Sequence, residues 1–361
     1  MPGHFAHSSP GTADQPCPAL ISETTGDIVS DPNIPRLPIT SPGDLLTAVP
    51  YLLGFHPTDS IVIIGLTGTR VVVASRTDLP RPSDVAAWAD EYTLTQIRML
   101  ANAAAGRAVA AGYGPATTVT TVMDAVIPRL TAAGINIFDA LRVTDGRYFS
   151  YTCQDLACCP VDGVPFDPCR SDITLHAIVA GCHALPDRAA LVASVAPTTG
   201  PARVAVTRAT AHARSRRRAL ISQAGRGGLI RAGDDAVRDA FARYAAEQTL
   251  TDDELAWLTV LLPVPAIRDA AWRATDDKPW QAAMWADITR RVHPPLAAPP
   301  ASLLAFAAWR RGEGALACVA VDRALAAHPG YTLAQLIDRA LRAGLPPSVL
   351  DGWPHPEQPT V

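Results

Sequence analysis

The sequence lacks long apolar runs and has almost no lysine. No stretch of the 361 residues approaches the roughly 18 consecutive apolar residues of a membrane-spanning helix, so we expect no membrane association. The first 35 residues carry neither a basic segment nor an apolar core, so they do not resemble a signal peptide, and we expect a cytoplasmic protein. Lys278 is the only lysine among the 31 basic residues, a bias typical of high-GC genomes.

A strong net charge is also missing. The formal net charge is −3, so the overall balance does not attract the protein to nucleic acid or anionic lipid. The sequence is 48% hydrophobic and 18% charged, which is typical of a folded globular protein. Because 361 residues exceed one ordinary hydrophobic core, we expect two domains with tails.

The order of predicted elements indicates a mixed α/β sheet followed by helices. A long alanine-rich helix is expected from Ser83 to about Gly112. After residue 172 no strand pattern is convincing, while helical periodicity continues to about residue 347. The fold class is therefore an α/β mixed-sheet N-terminal domain followed by an all-α helical domain. The predicted strands comprise residues 61–66, 70–76, 117–123, 136–143 and 147–152.

The predicted domain organisation follows from these changes in pattern. Both ends of the chain are rich in proline and small polar residues without periodicity, which is typical of disordered tails. The segments are a disordered arm (1–35), a mixed-sheet domain (36–200), an arginine-rich helical connector (201–232), a helical domain (233–347) and a proline-rich tail (348–361).

The predicted strand directions bring polar side chains to one edge of the sheet. The Thr67-Gly68 turn makes the first two strands antiparallel, and helical crossovers make the next two parallel to the second. Ligands in open α/β sheets bind outside the carboxyl ends of the parallel strands, which meet at this edge. The polar residues expected there are His56, Asp59, Ser60, Arg76, Asp78, Asp124, Asp145 and Arg147.

This polar edge is compatible with two kinds of function. We interpret it first as a binding site for a small molecule or a protein partner, with no reaction specified. The alternative is a hydrolase or transferase in which His56 is the general base and Asp59 or Asp78 its partner. A purely structural role is also open, because Asp59 is an ordinary turn former and Arg76 can pair with Asp78 at the strand end. The ligand-binding candidates are Ser60, Arg76, Asp124 and Arg147.

Cysteines cluster in a loop that we expect at the opposite edge of the sheet. Cys153, Cys158 and Cys159 could bind zinc. Against this interpretation, the C-x2-C motif that is typical of structural zinc sites is missing. There are two alternatives to a zinc site. One is a disulfide from Cys153 to Cys158 or Cys159, and the other is a loop in which the thiols are only packed against apolar neighbours. The residues that could complete a zinc site are Cys169, His176, Cys182 and His183.

Residues 201–231 carry eight arginines and no acid. Such a stretch could bind the phosphate backbone of a nucleic acid. A nucleic-acid-associated regulator is therefore a third functional hypothesis. However, no aromatic residue interleaves for base stacking, and Asp234 and Asp235 follow at once. We therefore favour a solvated helix and do not expect nucleic acid as a partner.

The order of motifs resembles one known family. SPGDLLTAVPYLLGFHPTDSIVIIGL, SRTDLP, GRYFSYTCQDLACCPVDG and AWRRGEGALACVAVDRALAAHPGYTLAQLI together resemble the actinobacterial domain-of-unknown-function 4192 family. The resemblance covers about residues 39–347 and is most specific at GFHPTDS and CCPVDG. It implies a bacterial cytoplasmic protein and supplies no catalytic residues or cofactor.

Overall fold

The computed structural model of the chain describes residues 39–350. The predicted disordered arm lies outside the described residues, and so does the predicted tail from residue 351 onward. The predicted division into domains near residues 201–232 stays a prediction.

Six strands form one mixed sheet in the order β2-β1-β3-β4-β5-β6. β1 is antiparallel to β2 and β3, β3 is parallel to β4, and β5 is antiparallel to β4 and β6. The predicted β1–β2 hairpin is therefore confirmed. The strands are β1 Ser60–Thr67, β2 Arg70–Asp78, β3 Arg107–Tyr113, β4 Ile137–Thr144, β5 Arg147–Ser150 and β6 Val164–Pro165.

The third predicted strand is wrong. Residues 117–123 belong to helix α3 (Ala116–Ala132), and the actual third strand, Arg107–Tyr113, lies inside the predicted long helix. That helix, α2, ends at Asn102.

Burial explains why residues 117–123 are helical. Threonine and valine lower helix propensity by only about 0.7 kcal/mol or less each, whereas burying one apolar side chain contributes about 1.5–3 kcal/mol. Val119, Val122 and Val126 recur at helical spacing and are fully buried. Gly112 of β3 lets α3 lie directly on the strand, since a Cβ there would be 2.3 Å from the Val119 side chain.

Among the described residues, only helices and loops follow β6, which confirms the predicted helical C-terminal region. The longest helix, α6, is interrupted at Gly225, whose φ is 59°. The helices are α1 Pro42–Leu53, α2 Val85–Asn102, α3 Ala116–Ala132, α4 Asp172–Val179, α5 Arg188–Ser194, α6 Gly200–Ala245, α7 Asp252–Leu261, α8 Pro265–Ala274, α9 Pro279–Arg291, α10 Ala298–Arg310, α11 Gly314–Ala327 and α12 Thr332–Arg342.

Within residues 39–350, no single helix is long and apolar enough to cross a membrane, although α7 and α8 meet that criterion as a pair bent by 113°.

The two faces of the sheet pack against different helices. Ile61 and Ile63 of β1 face α2 and α3 and form one apolar cluster with them. Val62 and Ile64 face the other way, toward α1, and belong to a second cluster that continues into the C-terminal helices. The polar edge lies where this second face reaches the ends of the strands.

Candidate functional site

The strand register gathers four polar side chains on one face of the sheet. Ser60 lies directly opposite Asp78 of β2 and Tyr113 of β3, and Val62 lies opposite Arg76. Directly opposed residues project to the same side of a sheet, as do residues two apart in one strand. Ser60, Arg76, Asp78 and Tyr113 therefore form one group, which we call the edge face.

Arg76 is held from three sides. It forms an ion pair with Asp78, and its Nη2 donates to the Thr58 carbonyl oxygen at 3.0 Å. Its guanidinium lies 5.9 Å from the centre of the Phe55 ring. The Arg76 side chain is only 10% exposed, and its buried Nε has no hydrogen-bond partner in the described part of the chain. One N–H donor of Arg76 is thus buried, and the contacts of the guanidinium fix its position.

Two buried hydroxyl groups accompany this donor. Ser60 is fully buried and Tyr113 is 9% exposed. Neither Ser60 Oγ nor the Tyr113 hydroxyl has a partner among residues 39–350. A buried polar group without a partner costs about 1–3 kcal/mol. Burial also raises the pKa of Tyr113 far above its usual range, so its hydroxyl keeps its proton.

His56 and Asp59 lie at the exposed rim of the edge face. The His56 backbone N–H donates to the Leu185 carbonyl at 3.0 Å, and the Asp59 carbonyl accepts from the Leu79 N–H at 2.9 Å. No hydrogen bond or ion pair joins the His56 imidazole to Asp59 or Asp78, all three of which are described. The base–carboxylate pair that the predicted hydrolase or transferase needs is not assembled in this arrangement.

Two other predicted edge residues have different positions or contacts. Asp124 was expected at the end of the third strand, but it is an exposed residue within α3, because residues 117–123 are helical. Arg147 does lie at the edge, at the start of β5, next to the Asp145 turn. Its Nη1 donates to the carbonyls of Asp162 and Gly163 at 3.1 and 2.8 Å. Arg147 therefore anchors the loop that carries the cysteines.

Three cysteines converge in that loop. The sulfur atoms of Cys153, Cys158 and Cys159, which we call the thiol group, lie within 4.8 Å of one another. The Asp155 carbonyl accepts from the backbone N–H groups of Cys158 and Cys159 at 3.2 and 2.7 Å. This tight turn lets two neighbouring cysteines face Cys153, which an extended chain would not allow. The alternative in which the thiols pack apart does not agree with this geometry.

The loop next to the thiol group is organised by Asp139 of β4. Its Oδ1 accepts from Ser150 Oγ at 2.8 Å and Thr152 Oγ1 at 2.6 Å. Ser150 Oγ in turn accepts from the Cys153 N–H at 3.0 Å. A fixed carboxylate therefore lies beside the loop from which Cys153 projects.

The surroundings of the thiol group decide its protonation and oxidation. Burial, a hydrogen bond with Cys153 and the charges of Cys153, Asp139 and Asp155 raise the pKa of Cys159 to about 12. Cys159 is therefore a neutral thiol and a weak nucleophile near neutral pH. Cys158 is disulfide-bonded. The predicted pairing of Cys153 with Cys158 or Cys159 stays a prediction.

The predicted fourth metal ligands do not join the thiol group. Within the described residues, the clustered set contains only the three loop cysteines. The residues left outside it are Cys169, His176, Cys182 and His183.

A cleft that sequence reasoning did not anticipate opens between α1, β5 and α4. Its volume is about 610 Å³, and Ser41, Asp44, Arg170 and His176 are among the residues that line it. The capping pattern of α1 was visible in the sequence, but its position beside α4 depends on contacts between distant segments.

A mixed six-stranded sheet, covered by helices on both faces and continued by a helical region, defines an α/β protein with a buried polar edge and a separate thiol group. The chain belongs to the family described as "Domain of unknown function (DUF4192)", whose model matches residues 42–348. No curated protein and no solved structure matches the chain.

Proposed function

We propose that the protein binds a small molecule rich in acceptor oxygens, such as a carboxylate, at the edge face. The single observation that carries this proposal concerns three buried atoms on one face, Ser60 Oγ, Arg76 Nε and the Tyr113 hydroxyl. None of them has a hydrogen-bond partner between residues 39 and 350. An arginine N–H and two hydroxyls are all able to donate to such oxygens. The carboxyl ends of β2, β3 and β4 meet at this edge, which is the usual position of ligands in open α/β sheets.

A small ligand is favoured over a protein partner. The unpartnered atoms are buried, so any ligand reaches them only when the edge opens locally, and a small molecule requires a smaller opening than a flat protein surface does. His56 and Asp78 are exposed at the rim, where they would contact the outer end of a bound ligand. We assign neither of them a catalytic role, because no observation favours the hydrolase or transferase.

Native mass spectrometry of freshly purified protein tests the proposal, followed by calorimetric titration with malonate as the probe. For the wild type we expect either a co-purified small molecule in the native mass spectrum or binding of malonate in the titration. Tyr113→Phe removes one hydroxyl only and should clearly weaken this binding. Arg142→Met is the matched control, since Arg142 projects from β4 over the Phe149 ring at 3.7 Å. Absence of bound mass together with absence of malonate binding, or equal binding by Tyr113→Phe, would contradict the proposal.

A second candidate function, at the thiol group, is favoured by the convergence of its three sulfurs. We propose that the reduced thiol group binds one soft divalent metal such as zinc, which prefers thiolate ligands. Because Cys158 is disulfide-bonded, binding requires prior reduction. A phosphine supplies the two electrons and becomes a phosphine oxide with the oxygen of water, while the disulfide takes up two protons.

Cobalt(II) is a suitable probe of this site, since its bonds to sulfur give a charge-transfer absorption. We expect one equivalent of sulfur-bound cobalt in phosphine-reduced wild type and in Cys318→Ser, whose residue lies in α11 outside the thiol group. Cys153→Ser should lose the absorption. An unchanged spectrum in Cys153→Ser would contradict the metal role.

We also propose that the protein works in the cytoplasm of an actinobacterium. The family membership and the near absence of lysine support this placement. Detection of the native protein in the membrane fraction of its source cells would contradict it.

A further inference from the structure

The first half of α6 presents a cationic face. Arg203, Thr207 and Arg214 are spaced by four and seven residues, which places them on one side of an α-helix. This side flanks the buried residues Val206 and Thr210. Arg203 is half-buried, whereas Thr207 and Arg214 are exposed.

Two other elements bring cations to the same place. Thr207 Oγ1 lies 3.5 Å from Nδ1 of His293. His293 directly precedes a 3₁₀ turn, Pro294–Leu296, and α11, which carries Arg323, packs against that turn. Arg203, Arg214, His293 and Arg323 therefore form one group from three elements, which we call the cationic group.

Arg323 is half-buried and has no acceptor, among the described residues, for two of its guanidinium nitrogens. Its Nε and Nη2 atoms are buried and have no hydrogen-bond partner in the described chain. Burial and the charge of Arg203 both lower the pKa of Arg323, and burial, Arg214 and Arg203 lower the pKa of His293. These cations are thus close enough to repel one another, and an unpaired buried charge is costly.

No carboxylate of the described residues compensates this charge. The ion pairs between residues 39 and 350 do not include Arg203, Arg214 or Arg323. Asp322, next to Arg323 in sequence, instead faces Arg188 at 3.8 Å. The cationic group therefore has unused donors and an excess of positive charge.

We propose that the cationic group is a binding site for a small phosphate-bearing molecule. Guanidinium groups match phosphate oxygens in charge and in donor geometry. The free donors of Arg323 are buried, so a compact phosphate fits them better than a nucleic-acid backbone, which needs an exposed track. This site is separate from the edge face and does not depend on the function proposed there.

Calorimetric titration with pyrophosphate in a low-chloride buffer tests this proposal. We expect one equivalent to bind the wild type, and affinity to fall about ten- to a hundred-fold in Arg323→Gln and Arg203→Gln, since each loses charge-assisted hydrogen bonds. Arg208→Gln is the matched control, because Arg208 is an exposed arginine of the same helix outside the cationic group. Its affinity should stay within about two-fold of the wild type.

Several outcomes would overturn the proposal. They are no binding of pyrophosphate to the wild type at millimolar concentration, an equal loss in Arg208→Gln, or tighter binding of a single-stranded RNA oligonucleotide than of pyrophosphate. If circular dichroism shows that Arg323→Gln is unfolded, Arg323→Lys replaces it in the test. This variant keeps the positive charge and removes the planar guanidinium with its paired N–H donors. Wild-type affinity in a folded Arg323→Lys would also contradict the proposed role of the guanidinium.

Discussion

Arg76 and Arg323 are both largely withdrawn from solvent, but their guanidinium groups differ in the partners that surround them. Arg76 has an ion pair with Asp78, a carbonyl acceptor at Thr58 and an aromatic ring beneath it. Arg323 has two buried nitrogens without an acceptor among the described residues and a second arginine nearby. Asp78 balances the charge of Arg76, whereas no carboxylate between residues 39 and 350 forms an ion pair with Arg323.

Two tyrosines, whose side chains are neutral, differ in the same way: one hydroxyl has a hydrogen-bond partner and the other does not. The Tyr244 hydroxyl donates to Asp287, whereas the buried Tyr113 hydroxyl has no partner within the described residues. A polar group with its partners inside the chain contributes to stability, and one without them lowers the stability of the unliganded protein. The unpartnered donors therefore indicate binding, and they include the Nε of Arg76, although the charge of Arg76 is balanced by Asp78. Removing a partnered group should lower the free energy of unfolding, whereas removing an unpartnered group should raise it.

The largest effect is expected at Arg76. Arg76→Met removes the ion pair, the hydrogen bond to Thr58 and the contact with Phe55, so the free energy of unfolding should fall by about 1–3 kcal/mol. The Asp78 carboxylate is left behind, but it is 76% exposed and stays hydrated, which limits the loss. Urea denaturation measures the change.

Arg142→Met is the control for this substitution. Arg142 contacts the Phe149 ring and has no ion pair among the described residues, so this variant should lose about 1 kcal/mol or less. Equal losses in the two variants would mean that the partners of Arg76 contribute nothing specific.

A smaller effect of opposite sign is expected at Tyr113. Tyr113→Phe removes an unpartnered buried hydroxyl and should raise the free energy of unfolding of the unliganded protein by about 1 kcal/mol. Tyr244→Phe is the same chemical change at a partnered hydroxyl and should lower it by a similar amount. A loss in both variants would show that Tyr113 has a bound partner, such as an ordered water.

The third effect is expected at Arg323 and depends on salt. Arg323→Met removes a cation that the positive charge of Arg203 disfavours, so the unliganded protein should gain less than about 1 kcal/mol at low ionic strength. The gain should shrink as salt screens the repulsion. Arg291→Met should instead lose stability, because Arg291 pairs with Asp252 and Asp287, each at 3.0 Å. A loss at Arg323 that is independent of salt would contradict the contrast between the two arginines.

The part of the edge face that depends on residues close together in the sequence could be predicted. The β1–β2 hairpin follows from its two-residue turn, and it places Ser60 beside Asp78. Tyr113 was missed together with its strand, because RAVAAGY is rich in alanine and continues a helical pattern. Small residues suit β3, which is buried between two neighbouring strands, but that packing depends on distant segments.

Convergence of distant residues was the least predictable feature. Arg203 and Arg214 belong to a stretch that the sequence made conspicuous. His293, in a loop, and Arg323, in α11, join them through tertiary packing. The thiol group depends on a turn around Asp155, where no local motif indicated that neighbouring cysteines would face the same way.

The smallest effect is expected at Asp44, a charge balanced within α1 in the same way as Arg76 is balanced in the sheet. Burial raises the pKa of Asp44, but hydrogen bonds from Thr40 and Ser41 outweigh it and leave the pKa below its ordinary value of 3.8. A lowered carboxyl pKa contributes stability that is present above the unfolded value and is lost as the pH falls through the folded value.

The wild type should therefore lose stability below about pH 4 partly through this group, whereas Asp44→Asn should be slightly less stable at pH 7 and lose less on acidification. Urea midpoints between pH 7 and pH 3 measure the difference, which we expect to be below about 1 kcal/mol because the helix end is partly exposed. Asp124→Asn, an exposed position on α3, should follow the wild-type pH dependence. If Asp44→Asn also follows it, the hydrogen bonds of the cap do not hold the carboxylate in its charged form, and Asp44 does not belong with the balanced charges.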